Sequence, residues 1–521
     1  MSANAGTLAG VIARAALDHP VNLAVIDDLG ALTFAELDSR ISASVAAIDS
    51  LVAAGDPIAV IGPNHRIWVE LYYAVPASGR VLVFLNHRLN VHELESMIAR
   101  SGARLVIGDA DELDRLRTAE VDVPHSDWTS WSDRVDGFEV PSSQSSADLR
   151  TKLERPPTSP AWMLFTSGTT TGPKGALLSH SNVLAAVRAS TAARPVERDD
   201  VYVFPFPLCH VAGYNVVHRH ALGRPVVLMS GFAASEFCDV VEREQATSAS
   251  LAATMLATLV DLVENEPERR IQLESLRSIA YGAAPMPTPL LRQADALLNV
   301  EFAQGYGMTE LSGNAVFLNA EAHRRGLDED ESLLKAAGTP APGVEMRIVD
   351  ELGCDVESGE AGEIVIRAEQ VMLEYLDDPV ATEAALHDGW LHTGDIGRIV
   401  DGLLYVIDRK KDIVITGAEN VSSIEVESAV LAHPDVARVA VVGVPDPQWG
   451  ENICAVVVTV PGAEIDPREL SSFVRESLAG YKVPRHVVVV DELPVNASGK
   501  VVKVKLREWL AQNPEKLGSR L

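Results

Sequence analysis

The sequence predicts an α/β protein: a large N-terminal domain of βαβ-type subdomains with a small β-barrel-like subdomain, then a small α+β C-terminal domain. Three observations lead there. The chain has 521 residues, more than one hydrophobic core serves, so it divides into domains. Short runs rich in Val, Ile and Leu alternate with helical patterns, the texture of buried parallel strands joined by crossover helices. From about Gly343 the rhythm changes to shorter strands with Gly-rich turns, which suits a small antiparallel sheet or barrel.

In chain order, Met1 to Pro20 reads as a short amphipathic helix with Arg14 inside its apolar stretch, not as the charged-then-apolar layout of a signal peptide. Ile58–Ile61, Val81–Leu85 and Leu105–Ile107 are the first buried runs, and a helix over Val91–Arg100 makes a βαβ unit of the last two. Ser142–Ser146 and the prolines Pro156, Pro157 and Pro160 mark a flexible connection before Trp162. Val226–Met229 and Ser278–Tyr281 continue the buried-strand pattern, and Met346–Asp350, Glu363–Arg367 and Leu403–Ile407 belong to the barrel-like part. After Arg409, Ser422–Ala432, Val439–Val442, Ile453–Val460, Leu470–Leu478 and Val487–Val490 alternate between helix and strand, giving a division into 1–408 and 409–521.

Charge and composition exclude several classes. With 44 Lys and Arg against 73 Asp and Glu, the net charge is −29, which repels nucleic acid and anionic lipid. Any bound phosphate must be met by a local cluster of cations or backbone amides. Cys209, Cys238, Cys354 and Cys454 lie far apart without CxxC spacing, so neither a disulfide framework nor a zinc site is expected and a reducing compartment fits. No run approaches the ~18 apolar residues of a membrane span. The expected location is the cytoplasm. The acidity is uneven: 409–521 holds 14 cations and 15 acids, against 30 and 58 in 1–408, and from Tyr481 onward 8 cations face 4 acids.

Four segments carry chemistry. Thr166-Ser-Gly-Thr-Thr-Thr-Gly-Pro-Lys174-Gly175 follows the apolar Ala161–Phe165. Small residues let a backbone wrap an anion, hydroxyls and amides donate, and Lys174 adds a point charge. Pro173 before the lysine and the lack of GK[ST] set it apart from a P-loop, and the same composition also describes a surface loop. In Gln304-Gly-Tyr-Gly-Met-Thr-Glu310, Tyr306 offers a flat face, Thr309 a hydroxyl, and Glu310 a hard oxygen ligand of the kind Mg²⁺ takes; alone, they equally suit a core tyrosine and a solvated glutamate. Gly389-Trp-Leu-His-Thr-Gly-Asp395 precedes Tyr405-Val-Ile-Asp-Arg-Lys-Lys411, where Asp395 is either a partner for ribose hydroxyls or a turn residue. Pro494-Val-Asn-Ala-Ser-Gly-Lys500 places a lysine on a Gly-containing turn, usually a solvent-exposed position.

In order and wording these segments resemble the adenylate-forming superfamily, which includes acyl-CoA synthetases, luciferase-type enzymes and peptide-synthetase adenylation domains. The resemblance runs from about Leu32 to Arg507 and takes in Pro207–Gly213, Tyr281–Met286, Gly362–Arg367, Gly443–Asp446 and Tyr481–Arg485. It implies that a carboxylate is joined to ATP with release of pyrophosphate and then passed from acyl-AMP to a thiol, with Mg²⁺ as cofactor and CoA as co-substrate. Thr166, Ser167, Gly168, Thr169, Thr170, Thr171, Gly172 and Lys174 match the pyrophosphate loop. Thr171 stands where the family has glycine, and a β-branched residue resists positive φ, so the loop is expected to be stiffer or re-routed. Gly282, Ala283, Ala284, Pro285, Gln304, Gly305, Tyr306, Gly307 and Met308 would border the nucleotide, with Tyr306 against adenine. Thr309 would touch the α-phosphate, Glu310 hold Mg²⁺, and Asp395 and Arg409 hold the ribose. Lys500 matches the catalytic lysine that meets both carboxylate and α-phosphate, stabilising charge that grows in the transition state. Residues 1–408 would bind ATP and acid, and 409–521 would act as a lid carrying Lys500. Lys411 matches the hinge, and Gly417 the pantetheine channel.

The acid is read from the segment after Pro207. Val211 to Arg224 contains no Asp or Glu to meet an ammonium, which argues against an amino acid. The wording around His210 and Leu311–Ala315 is most similar to fatty-acyl-CoA ligases for medium or long chains, with His210, Val211, Gly213 and Tyr214 lining the acyl site. Tyr214 and the cluster His218, Arg219, His220 would suit a shorter pocket or a polar or ring-bearing acid. A carrier-protein thiol in place of CoA, or an aromatic or sterol-derived acid, are the alternatives. No nucleic-acid partner is expected.

Overall fold

The computed structural model describes residues 6–138, 155–166, 173–282, 286–416, 419–496 and 500–517. The chain forms two compact units, Met1–Met346 with Ile366–Leu391, and Arg347–Val365 with His392–Leu521.

The strands of the first unit are β1 (Leu23–Asp27), β2 (Gly30–Thr33), β3 (Ile58–Ile61), β4 (Leu82–Leu85), β5 (Leu105–Gly108), β6 (His125–Asp127), β7 (Pro160–Thr166), β8 (Lys174–Ser179), β9 (Tyr202–Phe204), β10 (Val226–Leu228), β11 (Ser248–Ser250), β12 (Ser278–Gly282), β13 (Glu301–Met308), β14 (Gly313–Leu318) and β15 (Thr339–Pro340). The chain leaves through β16 (Val344–Val349), returns along β17 (Gly362–Ala368), adds β18 (Glu374–Tyr375) and β19 (Leu386–His387), and leaves again in β20 (Trp390–Val400). Among the described residues, one sheet has the order β18-β8-β7-β4-β3-β5-β6 and another β15-β14-β13-β12-β11-β9-β10-β1-β2.

The first buried runs behave as their composition demands. β3 lies parallel to β4 and to β5, with Ile58 opposite both Leu82 and Leu105. Every residue of the three strands is buried, which is why they read as unbroken apolar runs. The helix between β4 and β5 spans Val91–Ser101, opens on a reciprocal Asn90–Glu93 capping box and stops at Gly102, whose φ of +66° takes the left-handed turn. The amphipathic N-terminal stretch is a helix over Leu8–Asp18. In the proline cluster, Pro160 opens β7, a strand position where a missing N–H is tolerated; Ser142–Ser146 lies outside the described residues.

The core of this unit joins both sheets. Trp68, Tyr72, Phe84 and Trp162 are fully buried, with Tyr72 and Trp162 ring centroids 4.9 Å apart. Two of them use their polar atoms inward: Trp162 Nε1 donates to the Tyr72 carbonyl at 3.2 Å, and the Tyr72 hydroxyl donates to the Leu208 carbonyl. The aromatic core therefore fixes the turn that leads into His210.

The second unit is completed by β21 (Leu403–Arg409), β22 (Val414–Thr416), β23 (Glu419–Val421), β24 (Val436–Asp446), β25 (Gly450–Thr459) and β26 (His486–Val489). One sheet runs β16-β17-β20-β19 with β21 against β20, and another β23-β22-β25-β24 with β26 against β25. The period-2 geometry of strands splits the valines of the β24–β25 hairpin between two cores. Val441, Ile453, Ala455 and Val457 pack on the helices Ser423–Leu431 and Pro467–Ser477, whereas Ala440, Val442, Cys454 and Val456 pack on the helix Lys503–Gln512. This is the α+β tail that the alternation after Arg409 predicts.

Candidate active site

In the first unit, the two ends of the candidate phosphate loop are set by the β7–β8 hairpin, in which Thr166 pairs with Lys174. Thr166 Oγ1 donates to the Lys174 carbonyl at 3.5 Å. Ser167, Gly168, Thr169, Thr170, Thr171 and Gly172 lie outside the described residues. On the other edge of β8 lies β18, with Tyr375 opposite Ala176. This pairing brings Lys174 Nζ over the Tyr375 ring, 5.2 Å from its centroid, a favourable placement for a cation. The same tyrosine donates its hydroxyl to Glu310 Oε1 at 2.7 Å. Glu310 is 7% exposed and its carbonyl accepts from Met372 N at 2.8 Å. Gln370, also buried, donates to the carbonyls of Leu311 and Asn314 at 2.8 and 3.1 Å, and its own carbonyl accepts from Ser312 Oγ. Segment 370–375 is thus sewn to the turn that carries Thr309 and Glu310, which form a 3₁₀ helix directly after β13.

The glycines of β12 and β13 are steric requirements. β12 and β13 run parallel with Gly282 opposite Gly305, and β13 turns back into β14 through a register shift at Tyr306 and Gly307. A Cβ on Gly305 would lie 2.1 Å from Asn314 Nδ2, and one on Gly307 2.0 Å from the Gly313 carbonyl. Gln304, Tyr306 and Met308, all half-buried, continue the strand to the Glu310 turn. Ala283, Ala284 and Pro285 lie outside the described residues.

The His210 segment is pinned from below. Asn64 donates to the carbonyls of Phe206 and Met229 at 2.7 and 2.8 Å and accepts from Leu208 N at 2.7 Å. His210 Nε2 lies 3.5 Å from Asn86 Nδ2. Val211–Gly213 form a 3₁₀ turn running into the helix Tyr214–His220. A Cβ on Gly213 would sit 2.1 Å from the Tyr72 hydroxyl. Tyr214 is buried, with its hydroxyl 3.0 Å from Ser190 Oγ. Of the three basic residues that follow, two are committed to the fold. His220 bonds the Tyr73 hydroxyl at 2.8 Å and the Ala24 carbonyl at 2.9 Å, and burial pushes its pKa down to about 4. Arg219 pairs with Asp200 at 2.8 Å and lies over the Tyr202 ring.

In the second unit, Asp395 and Arg409 face each other across β20 and β21. Arg409 Nε lies 2.7 Å from Asp395 Oδ1, the carboxylate buried and the guanidinium half-exposed. Asp395 N donates to Thr393 Oγ1, which itself donates to the Ile364 carbonyl. Next along, Glu363 takes Lys410 Nζ at 3.0 Å, His392 Nδ1 at 3.4 Å and Gly394 N at 3.2 Å. Burial works to raise the Glu363 carboxyl, but Lys410 and His392 outweigh it and hold it below the ordinary range. The Lys411 carbonyl and the Asp412 carboxylate both accept from Arg507. Burial lowers the Lys411 ammonium, with Arg409 and Arg507 adding to that against Asp412. Lys500 is tied to Asn496: its N–H donates to Asn496 Oδ1 at 2.9 Å, and its carbonyl accepts from Asn496 N at 2.8 Å. Its side chain retains exposed surface, yet desolvation lowers its ammonium pKa and the Arg409 charge adds to that, against a pull upward from Asp395. Gly417 lies outside the described residues.

Residues 12–376 match the AMP-binding enzyme family, and residues 425–500 match its C-terminal domain. The chain belongs to the AMP-binding enzyme family. It is an adenylate-forming protein of acyl-CoA synthetase type, as the ordered motifs imply. It is 34% identical to a feruloyl-CoA synthase of an Amycolatopsis species over 92% of this chain and 94% of that one. It is 32% identical to a fatty acid–[acyl-carrier-protein] ligase of Streptomyces coeruleorubidus, over 94% of each. The o-succinylbenzoate CoA synthetase of Bacillus subtilis, solved with its acyl-adenylate intermediate, superposes with a TM-score of 0.82 at 30% identity, covering 96% of this chain and 97% of that one. That synthetase has also been solved with ATP and a magnesium ion, with a TM-score of 0.81 at 30% identity over 96% and 99%. Within this family the C-terminal match ends on Lys500.

Tyr375, Gln370 and Asn64 are the site residues that the motifs do not contain. Tyr375 lies 65 positions from Glu310 and carries no motif of its own; the AMP-binding match ends one residue beyond it, at Leu376.

Proposed function

We propose that this protein is an AMP-forming acid–CoA ligase. The observation that carries the reading is the buried Glu310 carboxylate, oriented by the Tyr375 hydroxyl beside Lys174. A carboxylate oxygen of the acid attacks the α-phosphorus of ATP, and the bond to pyrophosphate breaks. A CoA thiolate then attacks the acyl carbonyl, and AMP leaves. No protein nucleophile is needed; the chain must supply cations, orientation and exclusion of water.

Lys174 meets the departing phosphates and Lys500 the two anions that must approach each other. Thr309 donates to the α-phosphate, and Asp395 accepts from the ribose with Arg409 beside it. Among the described residues no group of three or more His, Cys, Asp or Glu is placed to hold a metal ion. A single hard carboxylate fits Mg²⁺, which takes one or two protein oxygens and fills its remaining positions with phosphates and water. Glu310 would hold that ion, and Mg²⁺ when bound would supply positive charge to the phosphate oxygens. We take 1–408 and 409–521 as the working functional division, with the hinge near Lys411, Gly417 in the CoA channel and Lys500 on the smaller part. No described helix is long and apolar enough to cross a membrane, and the free cysteines suit a reducing cytoplasm.

A medium- or long-chain fatty acid is the first substrate class, from the wording around His210. A ring-bearing acid is the second, favoured by Tyr214, a buried aromatic tethered to Ser190 at the start of the helix after His210. The test is pyrophosphate release over a panel of fatty and aromatic acids, with and without CoA. Release followed by acyl-CoA is expected. Silence with every acid refutes the enzyme reading, and release that never yields acyl-CoA points to a carrier-protein thiol.

A further inference from the structure

The helix Tyr214–His220 is buried along its whole length although it carries three basic side chains. Two of them are accounted for by Asp200, Tyr73 and the Ala24 carbonyl. His218 is not. It is 0% exposed, and its Nδ1 lies 2.9 Å from Arg219 NH1. A guanidinium has donors only, so Nδ1 must accept, and the single proton of the neutral ring sits on Nε2. Burial, with Arg219 and Arg194 nearby, drives the pKa of His218 well below its ordinary value, so the ring stays neutral. The tautomer is therefore fixed by Arg219, which is itself fixed by Asp200 and by its placement over Tyr202. Nε2 has no hydrogen-bond partner among the described residues. A fully buried N–H donor without an acceptor is costly.

The place of that donor along the helix follows from helix geometry. Residues four apart share a face, so His218 stands one turn beyond Tyr214. Tyr214 turns its ring onto Gly313, where a Cβ would come within 2.8 Å of it, and Gly313 begins the strand directly after the Glu310 turn. Tyr214 thus touches the start of the return strand after the Glu310 turn, while its hydroxyl reaches Ser190 on a neighbouring helix. Helical rise of ~2 Å per residue over His210–Gly213 and ~1.5 Å over Tyr214–His218 sets His218 roughly 12 Å beyond His210.

We propose that His218 donates its Nε2–H to an oxygen at the far end of the acid, so that the preferred substrate carries a hydroxyl, ether or keto oxygen remote from its carboxylate. Arg219 is a positioning residue in this arrangement, holding the proton on Nε2. The inference rests on the acid–CoA ligase reading and narrows its substrate class. A site built to donate to an oxygen discriminates against the analogue that lacks it, because the donor is then left unpaired.

The test uses the full-length enzyme and pyrophosphate release with two matched pairs: cinnamate against 4-hydroxycinnamate, and octanoate against 8-hydroxyoctanoate. At least one pair should show a preference of about tenfold in kcat/KM for the oxygenated acid, carried mainly by KM. His218→Leu should bring that ratio to about one by weakening the oxygenated acid, and His218→Gln, which keeps an N–H at similar reach, should recover part of it. A wild-type enzyme that favours the oxygenated acid in neither pair overturns the proposal. So does a preference that survives His218→Leu. If the leucine variant does not fold, the wild-type ratios and the glutamine variant decide. Adenylation of plain acids without oxygen preference removes this proposal alone; absence of adenylation with any acid removes the ligase reading, and this inference falls with it.

Discussion

Replacing Tyr375 with phenylalanine takes one oxygen from the protein and leaves the ring that Lys174 covers. The lost contact is the 2.7 Å hydrogen bond to Glu310 Oε1. A hydrogen bond to a buried charged acceptor contributes ~1.5–3 kcal/mol, equivalent to roughly 10- to 150-fold in an equilibrium or rate constant. The backbone of Glu310 stays tied to Met372 N, so only the carboxylate is released, and the lower end of that range applies. The expected result is a fall of about tenfold in kcat/KM for adenylation, with a higher magnesium concentration needed for half-maximal rate. Pyrophosphate release titrated with Mg²⁺ measures both. Tyr375→Leu, which removes the face under Lys174 as well, should cost more. Combining Tyr375→Phe with Glu310→Gln should cost little beyond Glu310→Gln, since both act through one carboxylate. Activity of Tyr375→Phe within twofold of wild type at every magnesium concentration would refute the coupling of Tyr375 to Glu310.

Lys500→Ala should abolish adenylation while thioesterification of supplied acyl-AMP largely persists; equal loss of the two half-reactions contradicts the role given to the lysine. Lys500 acts as a cation with a lowered pKa, so adenylation should fall as pH rises through a value below that of free lysine. Arg409→Gln removes a like charge and should move this alkaline limb to higher pH, and a limb that stays put in a kcat/KM profile argues against Lys500 as the titrating group. His180, His220 and His323 are buried with pKa values pushed down to about 4, against ~6.5 for the unfolded chain. Between these values the unfolded state binds more protons, so stability is retained above ~6.5 and lost as pH falls toward 4. With three such groups the slope reaches about 4 kcal/mol per pH unit, measurable by urea denaturation, and a flat profile over that window would contradict the buried neutral rings.

What the sequence makes legible follows from how local each signal is. Ile58–Ile61 and its parallel neighbours are readable because a strand buried on both faces has no polar position to interrupt it. The loop ends at Thr166 and Lys174 are readable because Gly, Ser and Thr density between two strands is unusual. Asp395 and Arg409 are each named by motif, but their direct pairing depends on the β20–β21 register, which a single strand does not encode. Tyr375 is invisible for the same reason at longer range: its function comes from an edge strand added to β8 by a segment two hundred residues downstream. The basic triplet after Val217 reads as a patch of charge, and only the packing assigns Arg219 to Asp200, His220 to Tyr73 and leaves His218 Nε2 buried without a partner among the described residues.

The chain crosses between its two units within β16, β17 and β20. Residues 366–391 belong to the first unit although 347–365 precede them in the second, and Met372, Tyr375 and Ala381 pack in the main core with Leu8 and Trp68. No single cleavage can therefore release either unit whole. During synthesis the 347–365 segment emerges before its partners after His392, while the first unit lacks the β18 edge strand and the Tyr375 hydroxyl on Glu310 until Tyr375 has left the ribosome. A nascent chain whose Tyr375 has not yet emerged should hold most of the strands of the first unit while the Glu310 carboxylate still lacks its hydroxyl partner.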